Sequence, residues 1–209
     1  KEDAHLNYAK ISYEIGNSYQ SVPEVLTTFL EKYPTSPSHD VIETLLINSF
    51  ITSKNNKQAL VLLEKNKTSL NKETYQKVAF YRGLELYIDG NYNEAKDLFS
   101  KSIKEQRNAE FTARALFWKA EVEYVLDHFN DALLLFKQFD GFPESKNVAE
   151  RKNYFYNVAY CYFKQKDYDQ AATNFQTFTE ENKSDKVRLN DAYLRLGDSR
   201  FATSKYWPA

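Results

Sequence analysis

Asn91-Tyr92-Asn93-Glu94-Ala95, His128-Phe129-Asn130-Asp131-Ala132 and Asp167-Tyr168-Asp169-Gln170-Ala171 write one phrase three times: a turn residue, an aromatic, two polar residues and an alanine. A fainter copy is Asn55-Asn56-Lys57-Gln58-Ala59. The outermost copies are Ser18-Tyr19-Gln20-Ser21-Val22 and Lys205-Tyr206-Trp207-Pro208-Ala209. The phrases end at residues 22, 59, 95, 132, 171 and 209, so successive intervals are 37, 36, 37, 39 and 38. Such regularity identifies a structural repeat, each copy one supersecondary unit.

Each phrase reads as a helix start. Four of its six first residues, Ser18, Asn55, Asn91 and Asp167, are of types that accept the free N–H groups of a first helical turn, and a capping role is also the simplest one for His128. Pro23 and Pro208 fall near helix starts, where proline costs least. After the complete phrases come apolar residues at helical spacing, such as Leu26/Phe29, Phe136/Phe139 and Phe175/Phe178. Another helical segment precedes each phrase. Gly16, Gly90 and Gly141 fall in connections, and Pro34 and Pro143 follow second helices as terminators. Each repeat is therefore a helix–turn–helix hairpin, which buries its apolar face only by stacking on its neighbours.

Composition agrees. Five glycines and five prolines among 209 residues are few for a turn-rich β fold, and no alternating strand pattern is present. The formal charge of −1, from 28 basic and 29 acidic residues, argues against nucleic acid as a partner, because phosphate binding needs a basic surplus. No apolar stretch is long enough for a transmembrane segment. A single cysteine, Cys161, precludes an internal disulfide and reads as a buried structural residue. With Lys1 at its start and no methionine, the sequence reads as a fragment of a longer protein.

The pattern resembles the tetratricopeptide repeat (TPR), with its small residues in the first helix and at the start of the second, and an aromatic between them. Twelve residues before each phrase end stand Lys10, Ile47, Gly83, Ala120, Ala159 and Gly197, four of them small. The phrase ends are Val22, Ala59, Ala95, Ala132, Ala171 and Ala209. The resemblance implies an all-α, right-handed α-α superhelix, a single TPR solenoid of five helical hairpins plus one terminal helix. Its approximate repeats are 3–36, 40–73, 76–109, 113–146, 152–185 and an incomplete 190–209. Three departures stand out: a period longer than the family's 34, Asn56 in place of an aromatic, and Arg82, Lys119 and Glu123 at positions usually apolar or aromatic. The long-period, tyrosine-rich style resembles TPR arrays of bacterial cell-envelope proteins.

Catalytic and metal signatures are missing from the sequence. His5, His39 and His128 lie in different repeats without ligand spacing, and no glycine-rich phosphate loop occurs. No cofactor is called for, and an enzyme finds no support. The resemblance instead implies a scaffold or adaptor whose first helices line a concave surface that holds another protein or peptide. Carried over by position, the groove residues are Asn7, Ile11 and Glu14, then Thr44, Asn48 and Ile51, all but the isoleucines polar. Next come Phe80, Leu84 and Tyr87 in repeat 3, Phe117, Glu121 and Tyr124 in repeat 4, and Tyr156, Tyr160 and Phe163 in repeat 5. These nine form the expected aromatic peptide-binding site. They are mainly aromatic or neutral, which argues against a Lys/Asn/Arg clamp for a peptide carboxylate. The alternative is a structural spacer or self-association module within a larger envelope-associated protein.

Overall fold

The structure, a computed structural model, describes residues 1–66 and 71–204; the sixth phrase, Lys205 to Ala209, lies outside the described residues. Among those described there are eleven α-helices, two short 3₁₀ segments and no strand. The helices pair in sequence order as α1 (Glu2–Ile15) with α2 (Val22–Lys32), α3 (His39–Thr52) with α4 (Asn56–Lys65), and α5 (Lys72–Ile88) with α6 (Tyr92–Glu105). Then follow α7 (Ala109–Val125) with α8 (Phe129–Gly141), α9 (Tyr154–Lys164) with α10 (Tyr168–Glu181), and the final α11 (Lys186–Ala202). The 3₁₀ segments, Pro143–Lys146 and Ala149–Asn153, fill the connection between α8 and α9. The protein is thus all-α, with the five hairpins and terminal helix that the spacing predicts. No described helix is long and apolar enough to cross a membrane.

One backbone device recurs at the turns inside four hairpins. The residue before each phrase, Lys54, Gly90, Asp127 or Lys166, is left-handed, with φ of 58°, 79°, 61° and 63°. Its N–H bonds three residues back, and the next N–H bonds five residues back, as in Lys166 N to Phe163 O (3.0 Å) and Asp167 N to Tyr162 O (3.0 Å). This double cap satisfies the last carbonyls of the first helix. At two of these turns the phrase's first residue also caps the second helix through its side chain: Asn55 and Asp167 accept from Gln58 N and Gln170 N, whereas Asn91 makes no such bond.

Two readings of the phrase need correction. In the first repeat the N-cap of α2 is Ser21, not Ser18, with a reciprocal capping box to Glu24. The cap there is displaced by three residues, and the buried small residues of α1 are Ala9 and Ser12, with Lys10 only partly buried. His128 occupies its cap position but makes no capping bond; its ring binds the Glu123 carboxylate at 2.9 Å. The terminal helix also starts four residues earlier than 190, because Asp185 caps it by accepting from Arg188 N.

Chain contacts define two compact units, Lys1–Arg82 and Gly83–Ala209. The first is built on Ala9, Val25, Leu26, Phe29, Ile42 and Leu46. The second contains one cluster around Phe117, Phe136 and Phe139 and another around Phe175 and Phe178, all with 2% exposure or less. Each buried phenylalanine contributes about 1.5–3 kcal/mol of transfer free energy. The small residues mark where helices approach most closely. Ala95, Ala120, Ala132, Ala159 and Ala171 are fully buried, and a Cβ on Gly83 would sit 2.8 Å from the Phe99 ring.

Glu123, at a position usually aromatic, is buried with its charge satisfied. It accepts from Lys96 Nζ at 3.2 Å and from His128 Nδ1 at 2.9 Å. Burial raises its pKa, but the bonds from His128 and Lys96 together win and hold the carboxyl below its ordinary range.

Candidate peptide-binding cavity

The second unit encloses a cavity of about 360 Å³ between α7, α9, the second 3₁₀ segment and the start of α11. Phe117, Glu121 and Tyr124 reach it from α7, and Tyr156, Asn157 and Tyr160 from α9. Spacings of three and four residues put Phe117, Glu121 and Tyr124 on one face of α7 and Tyr156 and Tyr160 on one face of α9, with Asn157 beside them. Those faces flank Ala120 and Ala159, whose lack of bulk lets each helix seat against its partner.

The aromatic walls are locked by edge-on contacts. Tyr156 and Tyr160 rings lie 5.0 Å apart, Tyr160 stands 6.5 Å from Tyr124, and Phe175 backs Tyr160 at 5.2 Å. Both Tyr156 and Tyr160 hydroxyls donate to Asp191 Oδ2 of α11, which orients the phenols and leaves ring surface to the cavity. Burial, then the Asp191 bond, raises the pKa of both phenols, so they stay neutral donors.

Acidic groups lie among these rings. Glu121 accepts from Asn157 Nδ2. Burial pushes its pKa up to about 7, against the Asn157 bond and the charge of Arg188. Glu150, 7% exposed, accepts at Oε1 from Arg114 Nε and Trp118 Nε1, both at 3.0 Å. Its Oε2 and the Oδ1 of Asn153 are buried without any hydrogen-bond partner. At the rim, the Arg188 guanidinium lies 6.0 Å from the centre of the Tyr156 ring and donates to Asp185 at 2.6 Å.

Five of the nine sequence-predicted residues therefore meet in one cavity: Phe117, Glu121, Tyr124, Tyr156 and Tyr160. The other four stand outside its lining. Tyr87 packs edge-on against Trp118 at 5.3 Å, and burial, then Glu121 and Tyr92, pushes its phenol to about 12. Phe163 packs on Tyr160, Tyr168 and Phe175, and Leu84 is partly buried. Phe80 belongs to the first unit and is fully buried, in a run with Val78 and Ala79 that turns inward as core. It presents no surface to a ligand.

Sequence reasoning missed Trp118, Glu150, Asn153, Asn157 and Arg188. One signal did point to two of them. The 39-residue interval is the longest in the chain, and its extra length holds the 3₁₀ segment that carries Glu150 and Asn153. In the first unit a second cavity, of about 480 Å³, is lined mainly by polar residues, including Asp40, Glu43, Thr44, Asn48 and Asn66. Thr44 and Asn48 are two of the polar groove positions expected there. The buried Glu43 carboxylate accepts from Asn66 Nδ2 at 2.8 and 2.6 Å.

Stacked helical hairpins around a recessed aromatic surface define the class as a helical-repeat protein. Residues 154–184 match the tetratricopeptide-repeat family model. Among solved structures, the chain is similar to a tetratricopeptide repeat protein from Parabacteroides merdae, at 15% identity and a TM-score of 0.58, covering 98% of this chain and 74% of that one. It is also similar to BtubC (BKLC) from P. vanneervenii, at 12% identity and a TM-score of 0.59, covering 99% and 85%. No curated protein matches the sequence. Residues 154–184 thus carry a tetratricopeptide repeat, and the chain as a whole has a fold similar to tetratricopeptide-repeat solenoids, a fold that serves generally as a scaffold for protein–protein interaction.

Proposed function

We propose that the protein is a non-enzymatic scaffold that holds a peptide segment of a partner protein against the aromatic cavity of α7 and α9. The observation that carries this reading is convergence. Five groove positions assigned from two successive repeats line a single cavity, and its walls are rigid rings held by Asp191 and Phe175. Tyrosine and tryptophan surfaces of this kind supply large contact area at little cost in side-chain entropy. Several titratable groups in and near the cavity have structural work: Tyr156 and Tyr160 bind Asp191, Glu121 accepts from Asn157, and Glu123 binds Lys96 and His128. Cys161 is fully buried, and burial, then Glu121, raises its thiol pKa far above the reactive range.

Peptide display against the immobilised protein tests the reading. Peptides enriched on the wild type should bind the Tyr124→Ala/Tyr160→Ala variant at least tenfold more weakly, with circular dichroism showing the helical fold retained. If no peptide is enriched, or enriched peptides bind both proteins alike, the aromatic-cavity reading fails.

A further inference from the structure

From the buried acceptors that lack donors on two residues lining the aromatic cavity, we infer that it reads a guanidinium group, presented as an arginine side chain of the bound peptide. This inference rests on the peptide-binding reading and assigns that site its specificity.

Three independent observations point to this chemistry. The first is hydrogen bonding. Glu150 Oε2 and Asn153 Oδ1 are buried acceptors without donors, although Glu150 Oε1 takes two. A buried polar atom without a partner calls for a ligand or water to satisfy it. Both open atoms are acceptors, and they sit three residues apart on one short segment. The missing group is therefore rich in N–H donors.

Charge is the second. Glu150 is paired with Arg114 and Arg188 with Asp185, while Glu121 accepts a hydrogen bond from the amide of Asn157 and feels the charge of Arg188 without a direct ion pair to it. The lining thus holds one carboxyl group without a direct cationic partner, and a cation entering the cavity would favour its ionised form and pair with it.

Shape is the third. The walls are aromatic faces and edges, and one of them, Tyr156, already has the guanidinium of Arg188 6.0 Å from its centre. A guanidinium is flat, stacks on aromatic rings, carries five N–H donors and is weakly hydrated. An ammonium is a compact, strongly hydrated point charge. A cavity of about 360 Å³ accommodates such a head group and its methylene stem.

The test follows the Trp118 indole N–H by NMR, since that group donates to Glu150 Oε1 inside the site. The probes are N-acetyl-arginine N-methylamide and its lysine and norleucine counterparts, with ethylguanidinium and Ac-Gly-Gly-Arg-Gly-Gly-amide as further arms. The arginine probe should give a saturable shift at least tenfold tighter than the lysine probe, and the norleucine probe none. A pentapeptide that binds tighter than ethylguanidinium assigns the group to a protein chain. Equal binding of the two assigns it to a free guanidinium compound and overturns the arginine side chain as its source.

Glu150→Gln also disturbs Arg114 and Trp118, so Asn153→Ala is the more informative variant. Its Oδ1 has no partner to lose, so thermal stability should hold or rise while arginine binding weakens about tenfold. Arginine binding no tighter than norleucine, or unchanged in Asn153→Ala, overturns the inference. Display-selected peptides that lack arginine would sink it and leave the peptide-binding reading standing. Arginine bound in the cavity with no peptide selected would do the reverse.

Discussion

Glu121 concentrates the residue-scale physics. Its carboxyl is held by a single amide donor among aromatic rings, and burial lifts its pKa from the ordinary 4.5 to about 7. Arg188 of α11, Tyr87 of α5, and Tyr124 and Cys161 of α7 and α9 are the titratable or charged groups coupled to it. Between pH 4.5 and 7 the folded state keeps a proton that the unfolded state has released. Its contribution to stability is therefore full below pH 4.5 and lost as pH rises through 7. Glu121→Gln keeps an acceptor for Asn157 and removes the titration. Above pH 7.5 it should stabilise the protein by about 1–2 kcal/mol, with no gain at pH 4.5, as read from urea unfolding. A wild-type-minus-variant difference that is flat across this window would contradict the role of burial. From sequence, Glu121 was legible as a groove position. Its environment was not, because the Asn157 and Arg188 that meet it arrive from other helices, 36 and 67 residues further along the chain.

At the scale of elements, the hairpin turn and the buried second helix give the sharpest expectations. Lys166 adopts φ 63° at the double cap between α9 and α10, a conformation that costs a non-glycine residue about 1 kcal/mol. Gly90 fills the same position between α5 and α6. Lys166→Gly should therefore leave the fold unchanged and stabilise it by about 0.5–1 kcal/mol, measured as a rise in melting temperature. Phe175 is fully buried on α10 and touches Tyr156, Tyr160 and Phe163 edge-on. Phe175→Ala should cost about 3–5 kcal/mol and weaken ligand binding as well, because the cavity walls lose their backing. Loss of stability with unaltered affinity would show that the walls do not need that support. The phrase in the sequence announced the second helices well, since its aromatic and alanine sit at fixed offsets from the cap. It could not announce the left-handed residue, which is Lys, Gly, Asp and Lys in the four turns.

At the scale of the whole molecule, two compact units with separate cores carry the hairpins. In a repeat protein, contacts run between neighbours, so a local defect is felt locally. Phe29→Ala in the first unit should accelerate amide hydrogen exchange in α1 to α3 by an order of magnitude or more while α9 and α10 keep their protection. Phe175→Ala should do the opposite. Uniform acceleration throughout the chain in both variants would mean that the cores unfold as one.

The sequence alone determined the fold class and the hairpin count, because helical period and repeat length are local properties written at every copy. It also marked five cavity residues, since they stand at fixed offsets beside the small packing positions Ala120 and Ala159. Only the tertiary structure decided that Phe80 is core, that Glu123 is buried with Lys96 and His128, and that Glu150 and Asn153 help line the aromatic cavity. Those outcomes depend on which element packs over a side chain. In a repeat protein the irregular insertion between hairpins, here the 3₁₀ segment Ala149–Asn153, follows no period from which its place could be read.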